Sequence, residues 1–535
     1  MSEVWNKINV YTFEYPGEGE ITKEFGHDLI ALDIARSRPR RVNPAERAVL
    51  GLPNPITFES AMQALGDRYN ALEIEGALSN LAHAGFLLPE GQPLPTKPKE
   101  PDFEDITTLE LNMAEDCNLR CTYCCVGQGG FGADSLAQAT PMVSLDSIGT
   151  NPSGTGESAD SNDANHPRVR SRMSWDVARK AIDLLFKESG EAHKLHIRFF
   201  GGEPLMNEKV IRKAVEYSER LAESQGKKMG FSIVTNGTLL TREIIDFFKL
   251  HDFWVQISID GTPEMHNAYR LDIDGGGSYE SATALVPYLI ETMGPDNLQV
   301  RGTLTHFDVD LVKAFDHLRG VGFEDPEMRP VTGHDPSYAM TVEDYKRYNA
   351  GLDVLAQRIM NAKGEDANRY LAVFHPYLEL LTTRLPRRPP CAAARNMIGI
   401  SVDGTIKPCT DMVGKEHAAI DLGSIFDGAV NRDNKRIFLD IVDVDNKPVC
   451  SRCWARYICG GACASVELSN EGGLEENAGL ECIWIRHAIK VSLWLYIRMS
   501  EDRPDLFYEL FGKSYSFDLG PLAAIFSMQG EEELA

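Results

Sequence analysis

Three cysteines share one short loop, Cys117-Asn118-Leu119-Arg120-Cys121-Thr122-Tyr123-Cys124, directly after an apolar, strand-like run from Ile106 to Met113. Thiolates in this CxxxCxxC spacing can hold three irons of a [4Fe–4S] cube. The fourth iron then has no protein ligand, and a small molecule can bind and be reduced at that open corner. Zinc is the alternative occupant for such a set of thiols. The chain has eleven cysteines in a cytosolic-looking sequence. An odd number in that setting reads as metal ligands rather than as disulfides.

From about 106 to 340 the pattern alternates between strand and helix. Strands are expected at Ile106–Met113, Leu195–Phe200, Gly230–Thr235, Trp254–Ile259, Leu298–Thr305 and Glu327–Val331. Amphipathic helices are expected at Trp175–Glu188, Glu208–Ser224, Glu243–Leu250, Tyr279–Thr292 and Val309–Leu318, the last capped by Asp308. Six strands alternating with helices imply an α/β fold with a parallel sheet. The loops at the C-terminal strand ends of such a sheet carry the chemistry. The three cysteines lie in the loop after the first strand, where that rule places a site.

Further motifs sit at the other strand ends. Gly201-Gly202-Glu203-Pro204 follows the second strand, Thr235-Asn236-Gly237 ends the third, and Ser258-Ile259-Asp260-Gly261 ends the fourth, ahead of His266-Asn267 and Arg270. With the cysteine loop, this order resembles the radical SAM (S-adenosylmethionine) enzymes. The resemblance implies a partial (β/α)6 barrel, open on one side. It implies that Gly201, Gly202, Glu203 and Pro204 hold the amino group of SAM. Ser258 and Arg270 would contact its ribose and carboxylate, and Tyr123 would lie against the adenine. A hydroxyl suits a ribose and a guanidinium suits a carboxylate. Read without the family, Asp260-Gly261 is a strand-ending turn and Arg270 a surface ion pair. Cys125 belongs to no motif and reads as a buried free thiol.

Seven cysteines remain downstream: Cys391, then Gly404 and Cys409, then Cys450, Cys453, Cys459 and Cys463, and last Cys482. Their spacing resembles the SPASM domain, the twin auxiliary-cluster module of radical SAM peptide maturases. The resemblance assigns Cys450, Cys453, Cys459 and Cys482 to one cluster and Cys391, Cys409 and Cys463 to another, three [4Fe–4S] clusters in all. The three-cysteine set lacks a fourth thiol, since Ala392-Ala393-Ala394-Arg395 follows Cys391. A substrate thiolate is one candidate for that iron, because iron suits soft sulfur. In sulfatase maturases an aspartate base directly follows the second SPASM cysteine. Here Thr410 follows Cys409 and Asp411 comes next, so Asp411 is the candidate base. Arg329 and His306 are further candidates for polar substrate contacts.

The text around these motifs looks closest to maturases that make thioethers in ribosomal peptides. These include the six-cysteines-in-forty-five type and the maturase of the quinohemoprotein amine dehydrogenase small subunit. The resemblance implies an oxidoreductase working after translation. An external one-electron reductant would drive cleavage of SAM to methionine and a 5′-deoxyadenosyl radical. That radical would take a hydrogen from a carbon of a precursor peptide or small protein subunit, and a substrate cysteine would bond to that carbon. Within the family a C–C or C–O crosslink or an oxidised side chain is the alternative product. From another class, the chain would be a zinc-bound regulatory protein.

Residues 1–100 read as a winged-helix-like module for peptide recognition. Strands are expected at Asn9–Tyr15 and Leu29–Ile34, a helix from Asn43-Pro44, helices at Phe58–Tyr69 and Leu72–Ala84, and a turn into a strand at Gly85–Leu88. Arg36, Arg38, Arg40 and Arg41 make a DNA-binding reading possible. A linker with four prolines spans 92–104. The barrel is expected at 105–340, with a mobile insertion at 126–172, a helical bridge at 341–390, the SPASM domain at 391–483, and a C-terminal helix and tail at 484–535. The chain carries 54 Lys and Arg against 79 Asp and Glu, a net −25, which argues against broad binding to nucleic acid or an anionic membrane surface. The start of the sequence lacks the basic and apolar regions of a signal peptide, and no apolar run reaches membrane-spanning length. A cytoplasmic protein is expected.

Overall fold

The computed structural model describes residues 3–16, 24–95, 105–124, 172–333, 335–383, 385–468, 474 and 479–512. Cys125, the expected insertion at 126–172 but for Arg172, and the tail beyond Gly530 lie outside the described residues.

The first elements in chain order are β1 (Val4–Lys7), β2 (Val10–Tyr15), β3 (Asp28–Asp33), β4 (Arg38–Val42), α1 (Pro44–Leu50), β5 (Ile56–Thr57), α2 (Phe58–Leu65), α3 (Ala71–His83) and β6 (Leu87–Pro89). They form two antiparallel sheets, β5-β1-β6 and β2-β3-β4. Asn43 caps α1 with proline at its first turn, and Glu46 returns the hydrogen bond to the Asn43 amide. α2 stops at Gly66, four residues short of the expected end. Strands β1, β4 and β5 were not expected; each is short, and none shows a clean alternation.

Strand β3 is where alternation matters. Ile30 and Leu32 enter the large core of the molecule, while Ala31 between them enters a smaller core with Val49, Ile56, Leu78 and Leu81. Successive side chains on a strand point to opposite faces, so β3 carries the module on one side and docks it on the other. Of the arginines named above, Arg41 serves that docking, while Arg36 and Arg40 pair within the module. Arg36 pairs with Asp33 at 3.2 Å and Arg40 with Glu46 at 3.3 Å, while Arg41 reaches Asp28, Glu501 and Asp502. Three of the four basic side chains are thus committed to carboxylates of the same chain, against a DNA-contacting role.

The central sheet follows: β7 (Thr108–Asn112), α4 (Trp175–Glu188), β8 (Lys194–Phe200), α5 (Glu208–Gln225), β9 (Lys228–Thr235), α6 (Arg242–Leu250), β10 (Phe253–Ser258), α7 (Val286–Met293), β11 (Leu298–Leu304), α8 (Leu311–Val321) and β12 (Glu327–Pro330). All six strands are parallel, in the order β12-β11-β10-β9-β8-β7. Ser174 and Thr241 cap α4 and α6. Asp310, not Asp308, caps α8; its side chain accepts from Lys313 N. The helix expected over Tyr279–Thr292 is broken into Tyr279–Thr283 and α7, with a proline at the start of the second piece. Proline has no amide hydrogen to continue a helix through it.

The rest consists of α9 (Val342–Asn361), α10 (His375–Thr383), β13 (Met397–Ile400), β14 (Ile406–Lys407), α11 (Arg432–Val442) and α12 (Glu481–Asp502). Strand β13 lies parallel to β7, and β14 pairs antiparallel with it, so the sheet of the barrel continues into the cysteine-rich region. Four residues are too short for a periodic signal, and this pairing joins residues 289 apart, Thr108 and Met397. Helix α12 is buried along most of its length, with Trp494 at 0 % exposure. It packs on α9, α10 and the N-terminal strands rather than standing alone at the surface. No helix among the described residues is long and apolar enough to cross a membrane.

Asp28 joins the two ends of the molecule. It accepts Trp494 Nε1–H at 2.9 Å and Arg498 Nε–H at 2.6 Å, and it pairs with Arg41 at 3.0 Å. Asp28→Ala would leave these donors without their acceptor, and a loss of about 2–4 kcal/mol is expected in urea unfolding. On β8, burial pushes the His196 pKa down to about 3, and the neighbouring Arg198 charge adds to this. The unfolded chain takes up a proton below about 6.5 that the folded chain refuses, so this group's stability is complete above that pH and lost as pH falls toward 3. His196→Gln is expected to flatten the pH dependence of the unfolding midpoint between pH 7 and 5.

Candidate active site

The cysteine loop leaves β7 and is stitched to the segment after β10. Arg120 N donates to Leu271 O at 2.6 Å, Thr122 N donates to Tyr269 O at 3.0 Å, and Leu119 bridges Asp272. Burial pushes the Cys117 thiol up to about 12, with the Glu203 charge adding to it, and the Cys121 thiol up to about 11. Such thiols hold their protons until a metal displaces them.

Gly201-Gly202-Glu203-Pro204 lies against this loop through its backbone. Gly202 N donates to Ala114 O at 2.8 Å and Glu203 N to Asp116 O at 3.0 Å. At Gly202 an added Cβ would fall 2.2 Å from Asp116 O and 3.2 Å from Cys117 Cβ. Gly201 has φ +133°, which favours glycine, and a Cβ there would meet Asn112 Oδ1 at 2.5 Å. The Glu203 carboxylate is fully buried. It accepts from Leu205 N at 3.0 Å, Thr235 Oγ1 at 2.8 Å and Asn236 N at 2.8 Å. Burial lifts its pKa to about 7 against those hydrogen bonds. Pro204 is buried and opens a short 3-10 turn. Asn236 in turn donates to Asn118 Oδ1 at 3.0 Å and approaches Cys117 Sγ at 3.8 Å. The Thr235-Asn236-Gly237 motif therefore touches the cysteine loop directly.

Ser258 ends β10 opposite Arg301. Asp260, two residues on, is 1 % exposed. It accepts from Thr303 N at 2.8 Å, from Arg270 Nε at 2.8 Å and from the Tyr123 hydroxyl. Arg270 is thus not a surface pair: its side chain is only 12 % exposed, and its guanidinium stands 5.5 Å from the Tyr123 ring centre. Tyr123 also meets the Tyr269 and Tyr338 rings.

The remaining thiols form two groups. Cys391, Cys409 and Cys463 act on one another electrostatically, and so do Cys450, Cys453, Cys459 and Cys482. Hydrogen bonds assemble the first group: Ala394 N donates to Pro408 O at 3.1 Å, and Ser465 Oγ to Asp411 O at 2.7 Å. Burial raises the pKa of each of its three thiols. The second group borders an open pocket of about 340 Å³ lined by Val449, Arg452, Cys453, Trp454 and Arg486. Among the described residues, no three Cys, His or carboxylate groups converge closely enough to hold a single ion. A cube carries its irons at separate corners, so its ligands stand further apart than those of one zinc. Three and four thiols on rigid loops fit that larger group by donor chemistry.

Two carboxylates join the first downstream group to the barrel. Glu110, 3 % exposed in the middle of β7, accepts Arg198 Nη1–H at 3.1 Å and both the amide and hydroxyl of Thr410 at 3.0 Å. Nothing in the sequence marked it, because its partners lie up to 300 residues away. Asp411 follows; its charge bears on Cys409 and Cys463 and is felt by Arg198, Arg301 and Lys415, and burial raises its pKa. Its carboxylate accepts no hydrogen bond from the described residues. The other two candidates are already engaged: His306 Nδ1 is 2.6 Å from Asp344, and Arg329 is paired with Glu327.

Gly202→Ala would push the cysteine loop away from the motif that supports it. After anoxic reconstitution, iron per chain is expected to fall by about the content of one cluster, as read by colorimetric iron and sulfide assay.

Residues 111–307 match the family model of the radical SAM superfamily. The chain is 23 % identical over 381 residues to a cysteine-type anaerobic sulfatase-maturating enzyme of Clostridium novyi, covering 68 % of this chain and 88 % of that one. It is 24 % identical over 275 residues to a radical SAM cyclopropyl synthase of Paramaledivibacter caminithermalis, covering 48 % and 52 %. The solved structure of native anSMEcpe with bound AdoMet shares the fold at a TM-score of 0.56 and 17 % identity, over 74 % of this chain and 99 % of that one. This chain therefore carries a radical SAM domain, and its relatives include anaerobic sulfatase-maturating enzymes.

Proposed function

We propose that the protein is a peptide or protein maturase that joins a substrate cysteine sulfur to a substrate carbon as a thioether. The observation that carries the reading is the bridge from Glu110 to Thr410, which ties the Cys391/Cys409/Cys463 segment to β7, the strand that leads into the Cys117 loop. The reading puts the substrate between the two thiol groups. The relatives' names support a peptide or protein substrate, since sulfatase maturation is a modification of a protein, and a related solved structure holds AdoMet together with a peptide.

Loaded with [4Fe–4S] and SAM, the Cys117/Cys121/Cys124 site would supply a 5′-deoxyadenosyl radical at the expense of one electron from an external reductant. Gly201 and Gly202 would let a ligand approach the backbone beside that site, and Ser258 and Arg270 offer a hydroxyl and unused guanidinium N–H groups next to it. Tyr123 and Tyr269, with ring centres 6.1 Å apart, would offer an aromatic surface to a bound ligand. Asp411, half-buried and with no hydrogen bond to its carboxylate from the described residues, would take the proton of the substrate thiol. In sum one C–H and one S–H bond are lost and one C–S bond forms. The hydrogen atom leaves in 5′-deoxyadenosine, the proton goes to Asp411, and one electron must be removed. The two downstream thiol groups are our assignment for the auxiliary clusters that take it, and residues 1–100 are our assignment for peptide recognition in a cytoplasmic enzyme. Thr410 differs from the aspartate base of sulfatase maturases, and its hydroxyl is already held by Glu110.

Anoxic co-expression with a short cysteine-containing peptide encoded beside this chain tests the reading by mass. Loss of two hydrogens per bond with matching loss of alkylatable thiol is the expected outcome. The same loss with every thiol still free would replace the thioether by a C–C or C–O crosslink. Asp411→Asn is expected to keep SAM cleavage and to lose at least nine-tenths of the crosslinked product.

A further inference from the structure

Asp260 and Arg270 stand beside the cysteine loop in an arrangement that no ligand-binding role alone requires. The Arg270 Nε–H is spent on Asp260 Oδ2 at 2.8 Å, and the guanidinium stands 5.5 Å from the ring centre of Tyr123, which lies between Cys121 and Cys124 in the loop. Asp260 is fixed from several sides. Its Oδ1 accepts Thr303 N of β11, its Oδ2 accepts the Tyr123 hydroxyl of the cysteine loop, and its own amide donates to His266 Nδ1 at 3.3 Å.

The proton inventory of this network closes. Burial holds His266 neutral, with its pKa down to about 4. With Nδ1 accepting, the ring carries its proton on Nε2, which donates to Ser278 Oγ at 3.0 Å, and that hydroxyl donates to Arg270 O at 2.7 Å. The backbone of Arg270 is therefore held as firmly as its side chain. The guanidinium and the carboxylate are thus both locked beside the cysteine loop, Arg270 being 12 % exposed and Asp260 1 %.

We propose that this pair sets the reduction potential of the cluster held by Cys117, Cys121 and Cys124, with the Arg270 guanidinium raising it and the Asp260 carboxylate lowering it. Reduction places one more negative charge on the cluster. A nearby cation favours that state; a nearby carboxylate opposes it. The low local dielectric keeps both effects large. Asp260 is a positioning residue as well, since it holds the guanidinium beside the cysteine loop. The inference rests on the reading of this loop as a cluster site.

The test is an EPR-monitored redox titration of the reconstituted full chain without SAM, following the signal that is absent from the Cys117→Ala/Cys121→Ala/Cys124→Ala variant. Arg270→Gln is expected to make reduction about tenfold less favourable, a fall of about 59 mV in midpoint. Asp260→Asn is expected to shift the midpoint upward by a similar amount, and the double variant to lie between the two. Shifts in the same direction, or none in either variant, would overturn the proposal. Where a charge variant retains no iron, Tyr123→Phe carries the same test. It removes only the hydroxyl that partly offsets the Asp260 charge, so a smaller fall is expected, and an unchanged midpoint overturns the proposal. A wild-type chain without the signal would instead overturn the cluster reading beneath it.

Discussion

Buried carboxylates hold the working end of this molecule together. Glu203, Asp260 and Glu110 each accept two or three hydrogen bonds from segments distant in sequence. A carboxylate removed from water is costly unless its lone pairs are filled. Each therefore fixes its donors as strictly as the donors fix it. Glu203 ties the second strand end to the third, Asp260 ties the fourth to the fifth and to the cysteine loop, and Glu110 ties the first strand to the segment after Cys409. A loop with three thiols has little intrinsic order; its geometry is inherited from these neighbours.

The barrel was readable because its signals are local. Alternating apolar runs, capping residues and turn glycines gave six strands within a residue or two of where they lie, and the CxxxCxxC loop fell at the expected strand end. Short elements escaped. Strand β13 is four residues long, and its pairings with β7 and β14 make it a strand. The roles of Glu110 and Asp260 escaped for another reason. An isolated glutamate in an apolar strand and an aspartate before a glycine carry no pattern of their own; what gives them meaning is a partner 300 residues off or a hydroxyl on a loop. The arginine cluster of the N-terminal module misled in the opposite way. Density of charge was visible, but the carboxylates that absorb it, such as Glu501 and Asp502, are at the far end of the sequence.

The N-terminal module and the downstream thiols also share a surface. Tyr11 of β2 stacks on Trp454 at 4.4 Å between ring centres, nearly parallel, and Lys490 of α12 stands over both rings. Trp454 follows Cys453 directly. Aromatic stacking of this kind adds about 0.5–1.5 kcal/mol beyond burial, so a change in the seating of β2 would be felt one residue from Cys453.

The lock between Asp28 and Arg498 has a consequence for how the protein is made. The outer face of β3 finds its cover only when α12 has left the ribosome, some 470 residues later. At about 5–20 residues per second that is roughly half a minute to a minute and a half. During that interval the module must survive with Ile30 and Leu32 bare, and the thiols of the first loop emerge well before those of the last helix. Metal delivery to a nascent chain would thus meet the Cys117 site first, in a domain whose lid is still being synthesised. The biogenesis of this protein is a problem of timing as much as of affinity, and a host chosen for its production needs holding chaperones as well as iron–sulfur assembly.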